Sequence, residues 1–565
     1  MHPVLRLMPI LMITLVMLLL SLTSVQGQTD SKPLILPFEE GPSLNTWLLG
    51  QGYGNTTGAY NNADRWYSAG QGMHFGLDFS AACGTPLVAV ADATVAFVDD
   101  LSFGSAPHNL ILRHESLGLT TLYGHLLNTP PLIQGQFVEQ GQLVGYSGDP
   151  DGTCDSRPHL HLEIRSLDYR TTYNPVDYMD ANWHSLALIG SFSNRFFQID
   201  LDNARQWQTL GDQPDVAFGG RRLNAYAATW PPAFDRTPPA SVPPAITSMP
   251  IPEDVTVTLQ PLETTGCCAD FWWHPINSNQ LFTIDGAINS RASLFSWDVS
   301  VPELQGIVST TPPPYYSPDF ALSLTATEEG AQIQNIATGE TWQVNTGGNP
   351  PAVNADNTLL MWMERGGATV PGQESPTNAV YLSNIRGEDT RLFMAEEGID
   401  ATWLDDHRLL LTLREQPNTR VDVVDIITGE RYTLGSWYRP RAFSISPGGT
   451  RLAFYLSTQP NETDNGIYWI DIKEGAQTQK VSWIGAYRWR DGNSLFVVPF
   501  TPQSTVHQLW LYDIEEDRLR PLTNPTEQPF AIMDGRWLVN SDGSRIVFRN
   551  AVNGGSFSLL SIRDN

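Results

Sequence analysis

Five side chains able to bind a metal or move a proton fall between positions 74 and 161: His74, Asp78, His125, His159 and His161. They stand in His74-Phe75-Gly76-Leu77-Asp78, Tyr123-Gly124-His125-Leu126 and Pro158-His159-Leu160-His161-Leu162-Glu163. Three ligands drawn from imidazole and carboxylate, with a fourth position open to water, make a catalytic and not a closed structural zinc site. Two histidines are then left over to carry protons. The helical zinc-protease motif with its built-in glutamate base is absent, so those histidines must supply the base. The combination implies a zinc hydrolase. An isolated histidine is more often exposed or a satisfied core residue, and His108 and His114 are expected to be of that kind. Six of the eleven histidines lie from His74 to His161, however, which argues for the set.

The elements that must position these groups are strands. From His159 to Arg165 polar and apolar residues alternate strictly, the period of a half-buried strand. Leu160, Leu162 and Ile164 therefore face the core, and His159, His161 and Glu163 share the opposite face, spaced roughly 6–7 Å apart. His74 and Asp78 have helical spacing, but Gly72 and Gly76 weaken a helix there, and a turn at Gly84-Thr85-Pro86 leads into a β-leaning stretch. A straight strand would hold the two too far apart to share an ion, so a bend at Gly76 is expected.

These segments resemble the lysostaphin/LytM-type zinc endopeptidases of bacterial cell walls, whose pattern is H-x-x-x-D, a histidine in a Tyr-x-His-Leu context, then H-x-H. The resemblance extends to Gly84-Thr85-Pro86-Leu87-Val88-Ala89, to the glycine-punctuated run from Gly135 to Gln142, and to Pro158–Glu163. In order and spacing it covers about Gly52 to Asp177. It implies that His74, Asp78 and His161 bind Zn²⁺, that His125 and His159 are catalytic, and that the substrate is a peptide of peptidoglycan. Glu163 is expected to be a supporting or a surface group and not to act in catalysis. The approach to the last strand, Ser147 to Arg157, departs from the family's small, glycine- and threonine-rich loop, which puts substrate choice in question.

Residues Met1 to Gly27, with Arg6 ahead of an apolar run from Leu7 to Leu22, have the pattern of a secretory signal peptide cleaved after Gly27. No later stretch is long and apolar enough to span a bilayer, so a secreted or envelope location is expected. An oxidising compartment would let Cys83 and Cys154 pair, since both segments approach the site. Cys267 and Cys268 are the other two cysteines, and the sequence does not choose among the three possible pairings. A net charge of -27 argues against nucleic acid and against attraction to anionic wall polymers.

Beyond Tyr178 the organisation changes. Trp230 to Pro252 is dense in proline and reads as an extended connector. The pairs Asn335-Ile336, Asn384-Ile385, Asp425-Ile426, Asp471-Ile472 and Asp513-Ile514 each close an apolar strand, and turn-plus-strand units such as Ser446 to Phe454 lie between them. Their spacing, 41 to 49 residues, suggests propeller blades, and the turns resemble those of TolB-type β-propellers. A β-sandwich array is the alternative. The last unit lacks an outer strand, for which Val255–Leu259 or Phe196–Asp200 are candidates. Trp272, Trp273 and His274 are expected in the core.

The expected protein is all-β: signal peptide 1–27, β-sheet zinc metallopeptidase domain 28–183, connector 184–252, and a propeller of six or seven blades over 253–565 whose ligand is a protein or a glycan. The expected activity is endopeptidase cleavage of peptidoglycan stem or cross-bridge peptides. The rivals are a non-enzymatic envelope scaffold or amidase activator, and a peptidase acting on extracellular proteins.

Overall fold

The computed structural model describes residues 32–190, 197–227, 255–262, 270–287, 289–301, 307–309, 315–368 and 377–564. The expected signal peptide, the proline-rich stretch from Trp230 to Pro252, and Cys267 and Cys268 lie outside the described residues.

The first domain is a β-sheet. Its strands are β1 (Trp47–Gln51), β2 (Leu77–Ala81), β3 (Pro86–Val88), β4 (Ala93–Val98), β5 (Leu110–His114) and β6 (Leu119–Gly124). They continue with β7 (Phe137–Val138), β8 (Leu143–Tyr146), β9 (His159–Ser166), β10 (Thr171–Tyr173) and β11 (Val216–Ala217). The main nine-stranded sheet runs β1-β2-β9-β6-β5-β4-β7, with β10 on β9 and β11 on β10; β3 and β8 form a separate ribbon. The alternation along β9 works as expected: Leu160, Leu162 and Ile164 are fully buried in one apolar cluster with Phe79, Leu112 and Tyr123. The expected turn before Pro86 is present, with Gly84 at φ 87°, a left-handed position that suits glycine.

Seven four-stranded sheets follow, so the second domain is a seven-bladed propeller and not a sandwich array. The last blade is completed by Val255–Pro261, which runs antiparallel to Ser556–Asp564 with Val255 opposite Asp564. Joining the two ends of the domain in one sheet closes the ring and leaves no open seam. The other candidate for this role pairs elsewhere: Phe197 bridges to Thr56 of the first domain.

The Asx-Ile repeat has a physical basis. Each pair ends the third strand of a blade, and in four of the five the Asp or Asn side chain caps the turn to the fourth; Asp471 instead takes Arg451 Nε and Lys473 Nζ at 3.1 and 2.9 Å. Asp425 Oδ1 accepts the Ile427 and Thr428 amides at 2.8 and 2.9 Å, and Asp513 Oδ1 accepts those of Glu515 and Glu516 at 2.9 and 3.1 Å. The isoleucine amide then bonds the turn before the second strand, as Ile426 does to the His407 carbonyl and Ile514 to that of Asn493.

The two domains are packed together. Leu44, Leu48, Leu188 and Ile189 of the first share one apolar cluster with Trp483, Tyr487 and Trp537 of the propeller. Ser185 Oγ donates to the Ser504 carbonyl at 2.9 Å, and Arg441 Nη1 donates to Ser80 Oγ at 2.9 Å. Much of the segment expected as a connector also packs on the first domain. Gln213 accepts the Asn55 amide, the Leu223 amide bonds the Gln71 carbonyl, and Val216–Ala217 extends the sheet. Its side chains and β-pairing give this stretch partners that composition did not reveal.

Cys83 and Cys154 form a disulfide across 71 residues. A loop of that length corresponds to about 4 kcal/mol of lost chain entropy in the unfolded state. The bond ties the Ser147–Arg157 loop to the end of β2.

Candidate metal centre and active site

Three adjacent strands, β2, β9 and β6, bring the predicted residues together. Asp78 is directly opposite His161 across β2 and β9, and Ser80 is opposite His159. Gly124 faces His161 from β6, and His125 follows at once. His74 precedes β2 and is held by a two-way backbone bridge to Gly54. Gly76 stands in the bend between His74 and β2. It also makes room: a Cβ there would lie 2.7 Å from the His161 ring and 2.7 Å from the Leu162 carbonyl. Gly76→Ala is therefore expected to push His161 off its position, weakening metal retention at least tenfold and lowering the thermal midpoint. Metal content after dialysis and a melting curve check both.

The donor atoms converge. His74 Nε2 lies 3.2 Å from Asp78 Oδ1 and 3.2 Å from His161 Nδ1, and His161 Nδ1 lies 2.8 Å from Asp78 Oδ1. A tetrahedral ion with bonds of roughly 2.0 Å sets its ligand atoms about 3.3 Å apart, so the three atoms already sit near the edges of such a polyhedron. All three residues are buried. His74 Nδ1 donates to the Gly52 carbonyl at 2.6 Å, leaving the Nε2 lone pair for an ion. His161 Nε2 faces Glu163 Oε1 at 3.3 Å but falls outside good hydrogen-bond geometry, so the contact orients the ring chiefly by charge. A second group, Asp405, Asp406 and His407, is partly exposed on a propeller turn, where Asp405 already pairs with Arg408 at 2.6 Å.

Beneath His161 the polar face of β9 continues. Glu163 is fully buried and takes two bonds from Arg165, at 2.6 Å from Nε and 2.9 Å from Nη2. Arg165 also donates to the Phe103 carbonyl at 3.0 Å and lies 4.6 Å from the Phe218 ring centroid. Removing one member of such a pair strands the other charge, at a cost of roughly 3–5 kcal/mol. Arg165 was not singled out from the sequence, although the alternation that marks His159, His161 and Glu163 reaches it two residues later.

His125 and His159 form the outer edge of the cluster, their ring centroids 4.8 Å apart. His125 has φ 55°, a left-handed conformation uncommon for a non-glycine residue and often found at functional sites. Its Nδ1 donates to the Ala106 carbonyl, and His159 Nδ1 donates to that of Arg157 at 2.7 Å. Both rings are thus fixed with Nε2 unprotonated. His159 Nε2 lies 3.7 Å from Asp78 Oδ1.

The electrostatics separate the histidines. Burial, helped by neighbouring His159 and His161, pulls the His125 imidazolium down to about 3, so it is neutral at physiological pH. Burial also lowers His159, against the pull of Asp78. Burial opposes a charge on His161 too, but Asp78 and Glu163 outweigh it and raise its value to about 9 in the metal-free chain. Asp78 is held well below the usual carboxylate range because three histidines outweigh its own desolvation.

The other expected residues fall as follows. His114 is a satisfied core histidine between the Asp92 carbonyl and Thr121 Oγ1, both at 2.9 Å, and His108 pairs with Asp99 at 3.0 Å. Trp272 and Trp273 are buried in the propeller, whereas His274, expected with them, is only half-buried, its ring centroid 4.1 Å from that of Phe320.

Residues 72–177 match the model of Peptidase family M23. Lysostaphin of Staphylococcus simulans is 27% identical over 138 residues, which is 24% of this chain and 25% of that protein. The DD-carboxypeptidase/endopeptidase Mpg of Neisseria meningitidis serogroup B is 35% identical over 94 residues, 16% of this chain and 20% of that one. The chain thus spans about a quarter or less of the length of these relatives. Among solved structures, the catalytic domain of Staphylococcus simulans lysostaphin matches with 24% identity and a TM-score of 0.19, covering 23% of this chain and 90% of that one. TolB from Acinetobacter baumannii matches with 14% identity and a TM-score of 0.26, covering 48% and 78%.

Proposed function

We propose, from the premise that residues 72–177 are a Peptidase M23 domain, that the protein is a zinc endopeptidase of the cell envelope acting on peptidoglycan peptides. The observation that carries this reading is the cluster itself: a near-tetrahedral set of three donors beside two neutral histidines whose Nε2 atoms are free. His74, Asp78 and His161 would hold the zinc. Zinc there supplies Lewis-acid chemistry, polarising a peptide carbonyl and making water more acidic.

The chain's own groups account for the rest. His125, kept neutral by burial, has an open Nε2 that takes a proton from the attacking water and returns one to the departing amine. His159, its Nδ1 donating to the Arg157 carbonyl, stands on the same face with its Nε2 likewise unprotonated, so it accepts from the attacking water and orients it. Glu163 and Arg165 keep the His161 ring in register from below.

Envelope location is supported by the leader-like first 27 residues and the Cys83–Cys154 disulfide. Among the described residues, no helix is long and apolar enough to cross a membrane. The lysostaphin and Mpg relatives favour a wall peptide over other peptides. The propeller is read as the recognition module, because it is docked against the peptidase domain.

The test is mass spectrometry of material released from purified sacculi by the full chain, with chelated protein and His125→Ala as controls. New amine termini that depend on metal support the reading. Zinc-loaded protein that releases nothing from several wall chemistries would favour an extracellular protein substrate or a scaffold role.

Zinc loading should depend on pH in a defined direction. Below about 9 the ion must displace the proton that Asp78 and Glu163 hold on His161, so affinity is expected to fall with acid, approaching tenfold per pH unit. The metal-free fold behaves oppositely. Stabilisation by that proton is complete below the imidazole's ordinary 6.5 and is lost as pH rises through about 9. Competition titrations with a zinc indicator at pH 6, 7 and 8 and melting curves of the chelated protein check the two signs.

A further inference from the structure

A cavity of about 680 Å³ lies between the mouth of the propeller and the first domain, within the size range of small-molecule sites. Its wall carries Arg157, Arg414, Arg439, Arg441, Arg488 and Arg536 against only two acidic residues, Asp155 and Asp534. The chain as a whole has 60 acidic and 33 basic residues, so this wall inverts the ratio of the protein around it. Composition alone does not produce such a reversal.

Several of these arginines lack the carboxylate that usually accompanies a buried guanidinium. Arg488 donates to the Trp537 and Tyr487 carbonyls at 3.3 and 2.8 Å and has no ion pair among the described residues. Burial lowers its value to about 10, which still leaves it charged at neutral pH. Arg439 donates to the Cys154 carbonyl, its Nε is buried without a partner, and the nearest carboxylate, on exposed Asp155, is 4.0 Å away. Arg157, which is exposed, stacks 4.7 Å from the Trp66 ring centroid and makes no ion pair among the described residues. Asp534 lies 3.5 Å from His184 outside hydrogen-bond geometry, and its Oδ2 accepts the Leu210 amide at 3.4 Å. Elsewhere in the propeller the pattern is the reverse: Arg420 and Arg431 both pair with buried Asp422, at 3.2 and 2.7 Å. Leaving cations buried and unpaired is costly, and a ligand anion would relieve it.

The cavity also adjoins the peptidase cluster. The carbonyl of Arg157, on its wall, is the acceptor for His159 Nδ1. Arg441 reaches Ser80, which lies opposite His159 and two residues beyond Asp78 on β2. A peptide lying across His125 and His159 therefore has its continuation at the arginine wall.

We propose that this cavity is a carboxylate-binding subsite, which holds the acidic portion of a peptide whose scissile bond lies over the neighbouring histidines. The proposal rests on the peptidase reading for what the subsite serves, and not for whether it binds. It gives the docked propeller a direct part in substrate choice: both domains supply arginines to one wall. It also explains how so acidic a chain accommodates an anionic substrate.

The test is calorimetric titration of the full chain carrying His125→Ala, so that no turnover intervenes. The probes are a hexapeptide with two glutamates and a free C-terminus, and its counterpart with two glutamines and a C-terminal amide. The acidic peptide is expected to bind at least tenfold more tightly, with the advantage shrinking as salt is raised. Arg439→Gln and Arg488→Gln should each cut that advantage at least fivefold, whereas Arg386→Gln, which is outside the cavity lining and pairs with Glu340, should not. Arg439 lies at the cavity surface, so its variant keeps the test alive if Arg488→Gln fails to fold; melting curves report which have folded. Equal affinity for the two peptides overturns the proposal, and so does an advantage that folded Arg439→Gln leaves intact. Displacement of the acidic peptide by millimolar inorganic phosphate but not by acetate would reassign the site to phosphate and overturn the carboxylate assignment. Acid-selective binding with no cleavage of any peptide by the unmutated chain would instead count against the peptidase reading alone.

Discussion

Replacing His74 with alanine is expected to reduce bound zinc to less than a tenth of its normal content and peptide cleavage by roughly three to four powers of ten. The second figure corresponds to the several kcal/mol that a Lewis acid contributes. The substitution removes one of three donors spaced 3.2, 3.2 and 2.8 Å apart, and two donors do not hold the ion against water. It also removes the bond to the Gly52 carbonyl, so the Gly52–Gly54 strand end should loosen. Metal analysis by mass spectrometry alongside release of amine termini from sacculi measures both. Full zinc content with full activity would sink the ligand assignment.

His125→Ala should behave differently. Zinc content and the thermal midpoint are expected to stay close to those of the unmodified protein, because His125 is half-buried at the edge of the cluster and is not one of the three proposed ligands. Turnover should fall by about 10²- to 10⁴-fold, the usual contribution of a positioned general base. The loss should appear in kcat with little change in KM, since the group acts on a proton that moves only in the transition state. Steady-state kinetics on a short peptide identified from the sacculus digest separates the two constants. A loss confined to KM would make His125 a substrate-binding residue.

A good deal of this was legible along the chain. The alternation from His159 to Arg165 predicts both faces of β9, and Leu160, Leu162 and Ile164 are fully buried on one of them. The expected bend at Gly76 is present, and the Asx-Ile repeats mark the ends of third strands in a propeller. These features are local: each depends on side-chain period, turn chemistry or glycine geometry within a few residues, and such preferences are written in the immediate sequence.

Other features escaped because their causes are distant in the chain. The seven blades are seven four-stranded sheets, the last completed by pairing Val255–Pro261 with a strand some 300 residues later, and no local pattern marks which candidate closes a ring. The 197–227 segment reads as connector because the metal-site pattern ends by Tyr178 and a proline-dense stretch follows, yet its partners are Asn55, Gln71 and β10. Arg439, Arg441 and Arg488 each look like ordinary surface arginines.

The sequence by itself determined the site's inventory and the architecture of each half, since ligand chemistry is a matter of residue type and strands follow from periodicity. The tertiary structure alone decided how the halves meet. An apolar interface sets the propeller mouth against β2 and the Ser147–Arg157 loop, gathering arginines hundreds of positions apart into one cavity. Charge acts through space and not along the chain, so a protein whose composition is strongly acidic can still hold a cationic wall beside its proposed active site.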